Sequence, residues 1–180
     1  MMKKWLPFFS HTGSEICNII EKTGMRPCAI VTNSNNVDKI DPRVFQHEVY
    51  FLPNKPLIDD YITLFKEFGT RDDLLITLHG FMKIIPPEVL AKYDMINLHP
   101  GLITKYPELK GCDPQRAAVQ LKLETSGVVI HKVTSELDSG ELEVVSDEVD
   151  IKDLSLSEVV HKLKGVSLEC WIKFFKERGY

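Results

Sequence analysis

Asn97 and His99 carry the plainest chemical signal in this chain. They lie two residues apart in Ile96-Asn97-Leu98-His99-Pro100-Gly101, at the end of an apolar run. A strand turns alternate side chains to opposite faces, so the amide and the imidazole emerge on the same face. Pro100-Gly101 then ends the strand, because proline removes a backbone donor and glycine permits a sharp change of direction. An amide that donates a hydrogen bond beside an imidazole that moves a proton suits a reaction passing through an oxyanion. The same pair also fits a structural hydrogen bond at a strand end. Asp138, in Leu137-Asp138-Ser139-Gly140, reads as a turn residue. Beside an imidazole it would favour the protonated ring and fix its orientation.

The elements that must position these groups follow from pattern. Trp5 to Ser10 reads as a strand, with Pro7 suiting a strand start or an edge. His11-Thr12-Gly13-Ser14 turns into a helix of about ten residues closed by Gly24. Cys28 to Thr32, Val49 to Leu52, Leu74 to Leu78 and Met95 to Leu98 read as strands. Thr32 to Asp41 is polar and reads as a loop. Leu57 to Phe68 is a helix ended by Gly69, and Pro86-Pro87 opens a short one. This alternation predicts a twisted, mostly parallel sheet flanked by helices. After Gly101 the pattern changes. Asp113-Pro114 opens a helix to about Lys122. Gly127 to Val133 and Leu142 to Val149 are β-rich runs whose short connection predicts an antiparallel extension. Ser155 to Glu158 is a capping box before a last helix. Its apolar stripe is Val159, Val160, Leu163, Val166, Cys170, Trp171, Phe174 and Phe175. The expected class is α/β, Rossmann-like, in one domain over residues 1–180.

Composition sets the bounds. The chain has 180 residues, 43% hydrophobic and 27% charged, enough for a core of its own. The formal net charge of -4 gives no basic footprint for nucleic acid. No apolar run is long enough to span a membrane. Cys17, Cys28, Cys112 and Cys170 form no C-x-x-C pair, and the N-terminus is not a signal peptide, so reduced thiols in a cytoplasmic protein are expected. No cluster of His, Cys, Asp or Glu has metal-ligand spacing, and no metal is expected.

Four blocks resemble the folate-dependent formyltransferases, most of all the glycinamide ribonucleotide transformylase branch. They are Gly80-Phe81-Met82-Lys83-Ile84-Ile85, then Asn97 to Gly101 with Lys105-Tyr106-Pro107, then Gly127-Val128-Val129-Ile130-His131, then Glu136-Leu137-Asp138-Ser139-Gly140. They occur in the family's order and roughly its spacing. One block would be weak, as any short motif is; four in order are strong.

The resemblance implies transfer of a formyl group from N10-formyltetrahydrofolate to a primary amine, first among them glycinamide ribonucleotide in purine biosynthesis. Asn97 would donate to the formyl oxygen, His99 would move a proton, and Asp138 would orient His99. Phe81, Met82, Lys83, Ile84, Ile85 and Leu137 would line the folate site. Gly13, Ser14, Glu15, Pro100 and Gly101 would face the amine acceptor, and His131 would support the site from its strand. The turn departs from the family in two places: Glu15 stands where an Asn is usual, and His11 replaces a Gly. Gly101 and Ile103-Thr104 replace a usual Ser and Leu-Pro. The altered turn keeps other acceptors open, an amino sugar or a modified nucleotide. Hydrolysis of formyltetrahydrofolate is a further possibility, although deformylases usually carry an additional N-terminal domain. A non-catalytic folate- or nucleotide-binding module would have no need of all three triad residues. No appended tRNA-binding domain is expected, and the oligomeric state is open.

Overall fold

The computed structural model describes residues 2–180. The main sheet has seven strands: β1 (Lys4–Phe9), β2 (Ile30–Thr32), β3 (Val49–Phe51), β4 (Leu74–Leu78), β5 (Met95–His99), β7 (Val129–Lys132) and β8 (Leu142–Val145). Their spatial order is β3-β2-β1-β4-β5-β7-β8. The first five are parallel, and β7 and β8 join antiparallel. A separate pair is formed by β6 (Thr125–Ser126) and β9 (Val149–Asp150). The sequence reading runs Leu142 to Val149 together. The chain instead leaves the main sheet after Val145, and Val149 pairs with Ser126.

Helices α1 (Ser14–Thr23), α4 (Pro114–Gln120) and α5 (Leu156–Glu177) cover one face; α2 (Ile58–Phe68) and α3 (Pro87–Leu90) cover the other. Strand β1 shows why two layers form. Trp5 and Phe9 join the core under α1 and α5, whereas Leu6 and Phe8 join the core under α2. Strict alternation of large apolar residues on a strand buried on both faces is what a parallel sheet between helices demands. Pro7 therefore lies in a central strand rather than at an edge. It stands opposite Thr77 of β4 in the register.

Helix α5 is the longest element, capped by Ser155 and Glu158 as a reciprocal box. Its buried residues include Val159, Leu163, Ser167, Cys170, Trp171, Phe174 and Phe175. Ser167 is the polar member that the apolar stripe alone does not predict. The strand order reverses between β1 and β4, the place where open α/β sheets leave a crevice beyond their carboxyl ends. Gly13, Gly80 and Pro100, which follow β1, β4 and β5, line the cavities found there.

Candidate active site

Two cavities meet at the carboxyl ends of the strands. The larger, about 550 Å³, is lined by Asn97, His99 and Asp138 together with Phe81, Met82, Lys83, Ile84 and Leu137. The smaller, about 400 Å³, is lined by Gly13, Ser14, Glu15, Lys164 and Ser167. His11, Gly80, Leu98, Pro100 and Gln115 border both. Two of the expected contact residues lie elsewhere. Ile85 turns into the core under α2 and lines neither cavity, as the last apolar residue before Pro86-Pro87 can when its neighbour Ile84 takes the exposed side. Gly101 also lines neither. A Cβ there would sit 2.9 Å from Pro114 Cβ and 3.0 Å from His99 Nε2, so this glycine is required by packing against the histidine.

Strand β5 presents Asn97 and His99, and β7 lies antiparallel beside it with His131 directly opposite Asn97. On its other side β7 meets β8 with a register shift after Ile130, Glu143 being the extra residue of β8. His131 Nδ1 donates to the Lys132 carbonyl at 2.8 Å. Its Nε2 then accepts from Asn97 Nδ2 at 3.3 Å. An amide nitrogen carries two protons, so Asn97 keeps one for a ligand.

Asp138 sits in the β7–β8 connection with a left-handed backbone, φ 47°. Its carboxylate lies 3.4 Å from His99 Nδ1 and 3.4 Å from His131 Nε2. It also accepts the Gly111 amide at 2.8 Å. Burial pushes its pKa up, but the close approach of His131, the hydrogen bond from Gly111 and the neighbouring His99 together hold it below the ordinary carboxylate value. Asp138 is therefore ionised at neutral pH.

His99 is buried and donates from Nε2 to the Leu109 carbonyl at 2.7 Å. Burial lowers its pKa below the ordinary 6.5; Asp138 and the Leu109 bond oppose this without overcoming it. Asp138 thus favours the protonated ring, but desolvation outweighs it, and the resting imidazole is neutral with a bare Nδ1 facing Asp138. The segment 101–113 supplies three ties to the site. Leu109 holds His99, Gly111 holds Asp138, and Lys110 Nζ reaches Ser139 Oγ at 2.9 Å. The Leu109 and Gly111 ties have no side-chain signature in the sequence, because both act through the backbone.

On the second cavity, Gly13 caps α1 at φ 71°, and a Cβ would lie 2.9 Å from Val44 Cγ2. The Ser14 amide is already taken by Thr12 Oγ1 at 3.3 Å. Glu15 Oε1 accepts from His79 Nδ1 at 2.7 Å and from Trp171 Nε1 at 2.8 Å. His79 and Trp171 were not singled out from sequence. His79 was within reach of the rule that found Asn97 and His99, since Thr77 and His79 are also two apart at a strand end and bond at 2.8 Å. Trp171 reads only as core. Met82 N–H is likewise occupied, by Ser10 Oγ at 2.8 Å, which leaves its exposed side chain facing the larger cavity.

Residues 28–171 match the family model described as formyl transferase. The chain belongs to the formyl transferase family. Across 158 residues it is 30% identical to a phosphoribosylglycinamide formyltransferase of Dictyostelium discoideum, covering 77% of this chain and 75% of that protein. Over 159 residues it is 27% identical to the human trifunctional purine biosynthetic protein adenosine-3, covering 74% of this chain but only 15% of that protein. The fold matches the crystal structure of phosphoribosylglycinamide formyltransferase from Campylobacter jejuni with a TM-score of 0.83 at 23% identity, over 100% of this chain and 99% of that one. The matched region of this formyl transferase contains Asn97, His99, His131 and Asp138, and ends at Trp171.

Proposed function

We propose that this formyl transferase moves a formyl group from N10-formyltetrahydrofolate to a primary amine, with glycinamide ribonucleotide as the acceptor. The observation that carries the reading is the convergence of Asn97, His99 and Asp138 on one cavity whose other wall is the apolar run from Phe81 to Ile84 with Leu137. A flat pterin suits such a wall. Met82, Ile84 and Leu137 are large exposed apolar side chains around that mouth, and Ile84 is 87% exposed. A bound donor would cover them.

The amine nitrogen attacks the formyl carbon, and the carbonyl electron pair moves onto oxygen. The spare Asn97 amide proton meets that oxygen, where preorganised donors act most strongly. The attacking nitrogen must lose a proton. Neutral His99 accepts it at Nδ1, the position where the Asp138 carboxylate stabilises the imidazolium that forms. The tetrahedral intermediate then collapses, the bond from carbon to N10 breaks, and the proton passes from His99 to the departing nitrogen. His131 takes no proton in this scheme; it holds the Asn97 amide in place. The named acceptor follows the Dictyostelium relative, and the cavity beside Pro100 gives it room.

The test is release of tetrahydrofolate from N10-formyltetrahydrofolate with and without glycinamide ribonucleotide, with the formylated product identified by mass spectrometry. Release that depends on the amine is expected. Release at the same rate without amine would make the protein a hydrolase of the donor.

A further inference from the structure

Glu15 ends a directed chain of hydrogen bonds. Trp5 Nε1 can only donate, and it donates to Thr77 Oγ1 at 2.7 Å. The single Thr77 hydroxyl proton is left for His79 Nε2 at 2.8 Å, and His79 Nδ1 donates onward to Glu15 Oε1 at 2.7 Å. Trp171 Nε1 donates to the same oxygen at 2.8 Å. Glu15 Oε2 has no hydrogen-bond partner among the described residues, and the side chain is 28% exposed. Two buried donors, His79 just after β4 and Trp171 of α5, therefore fix one oxygen and leave the other as a rigid acceptor on the wall of the smaller cavity.

Position decides what that oxygen meets. Glu15 lines only the smaller cavity, whereas Asn97 and His99 line only the larger. A ligand reacting at the shared border presents its remote part to Glu15, not its amine. Beside it lie the uncharged Thr12, Ser14, Asn18 and Ser167, with Lys164 a cation on the same wall. Neutral hydroxyls and amides around a fixed carboxylate suit a hydroxylated group, and Lys164 suits a single anionic substituent. A phosphate against Glu15 would meet like charge.

We infer that Glu15 is the residue that recognises the acceptor, its Oε2 taking a hydroxyl of a sugar carried by the amine. This deepens the formyl-transfer reading and rests on it. It also gives Glu15, where the family usually has Asn, a role of its own.

The test is a coupling measurement. Binding of glycinamide ribonucleotide and of its 2,3-dideoxyribose analogue is measured calorimetrically on the wild type and on Glu15→Gln. The glutamine keeps a carbonyl oxygen for His79 and Trp171 and replaces Oε2 by a donor. Hydroxyls bonded to a carboxylate predict that deoxygenation weakens wild-type binding about 10- to 100-fold and the variant's about 3-fold or less. Donor affinity is expected to be equal in both proteins, which a general loss of structure would not allow. An equal penalty in both proteins overturns the inference, as does no binding of either compound to the wild type. Coupled binding without turnover would keep the role of Glu15 and refute glycinamide ribonucleotide as a substrate. Turnover without coupling would do the reverse.

Discussion

The chemistry of the site turns on where three protons sit. Two carbonyls, Leu109 and Lys132, fix one proton on each imidazole, and the nitrogens left over face Asp138 or the Asn97 amide. Because burial lowers the pKa of His99, the neutral base form persists at neutral pH and is lost only on acidification below the ordinary 6.5. The rate should therefore fall on the acid side with a limb below that value, read from kcat/KM against pH. Asp138→Asn removes the group that raises the His99 pKa, so the limb should move further down while the plateau falls about 100-fold or more. A limb that stays in place would mean that Asp138 does not act through His99. Asn97 and His99 stand out by residue type and spacing, whereas Asp138 reads as a turn residue and joins them only through the family resemblance. The Leu109 and Gly111 contacts are legible in neither way, because backbone groups leave no mark on residue identity.

At the scale of elements, the strands and helices that carry the site follow from periodicity: Leu74–Leu78 matches its expected bounds, and α1 closes at Gly24 as expected. What periodicity could not show is pairing. The split of the last β-rich run between two sheets depends on what Ser126 and Val149 find in space. The β7–β8 connection is the element that places Asp138, and Gly140 is its tight point. A Cβ there would overlap the Lys132 backbone carbonyl. Gly140→Ala should cost about 1–3 kcal/mol by overpacking. It should also lower turnover through Asp138, seen as faster amide exchange over 133–141. Unchanged exchange there would separate the turn from the site. Leu163→Ala, at a fully buried position of α5, should cost about 2–5 kcal/mol in urea unfolding. A cost under about 1 kcal/mol would mean that α5 is not anchored through this residue.

For the whole molecule, the crevice lies where the strand order reverses, between two apolar layers that the alternation along β1 anticipates. The same burial that shapes the site makes it a liability in acid. The unfolded chain binds a proton at His99 near pH 6.5 and the folded protein only lower, so stability falls as pH drops from 6.5 to the lowered value. Asp138 acts in the same direction: its contribution is present above the ordinary 3.8 and is lost as pH falls through its lower folded value. The Tm should thus drop between pH 7.5 and 5.5, and the drop should shrink in His99→Gln. An identical drop in that variant would place the acid sensitivity elsewhere.

The most direct test of the account is the single-turnover rate of formyl transfer to glycinamide ribonucleotide in the wild type and in Asn97→Ala. In the proposed mechanism the spare Asn97 amide proton meets the developing oxyanion, so its loss should slow the step about 100- to 1,000-fold with donor affinity nearly unchanged. An Asn97→Ala protein that transfers formyl at the wild-type rate would contradict the account.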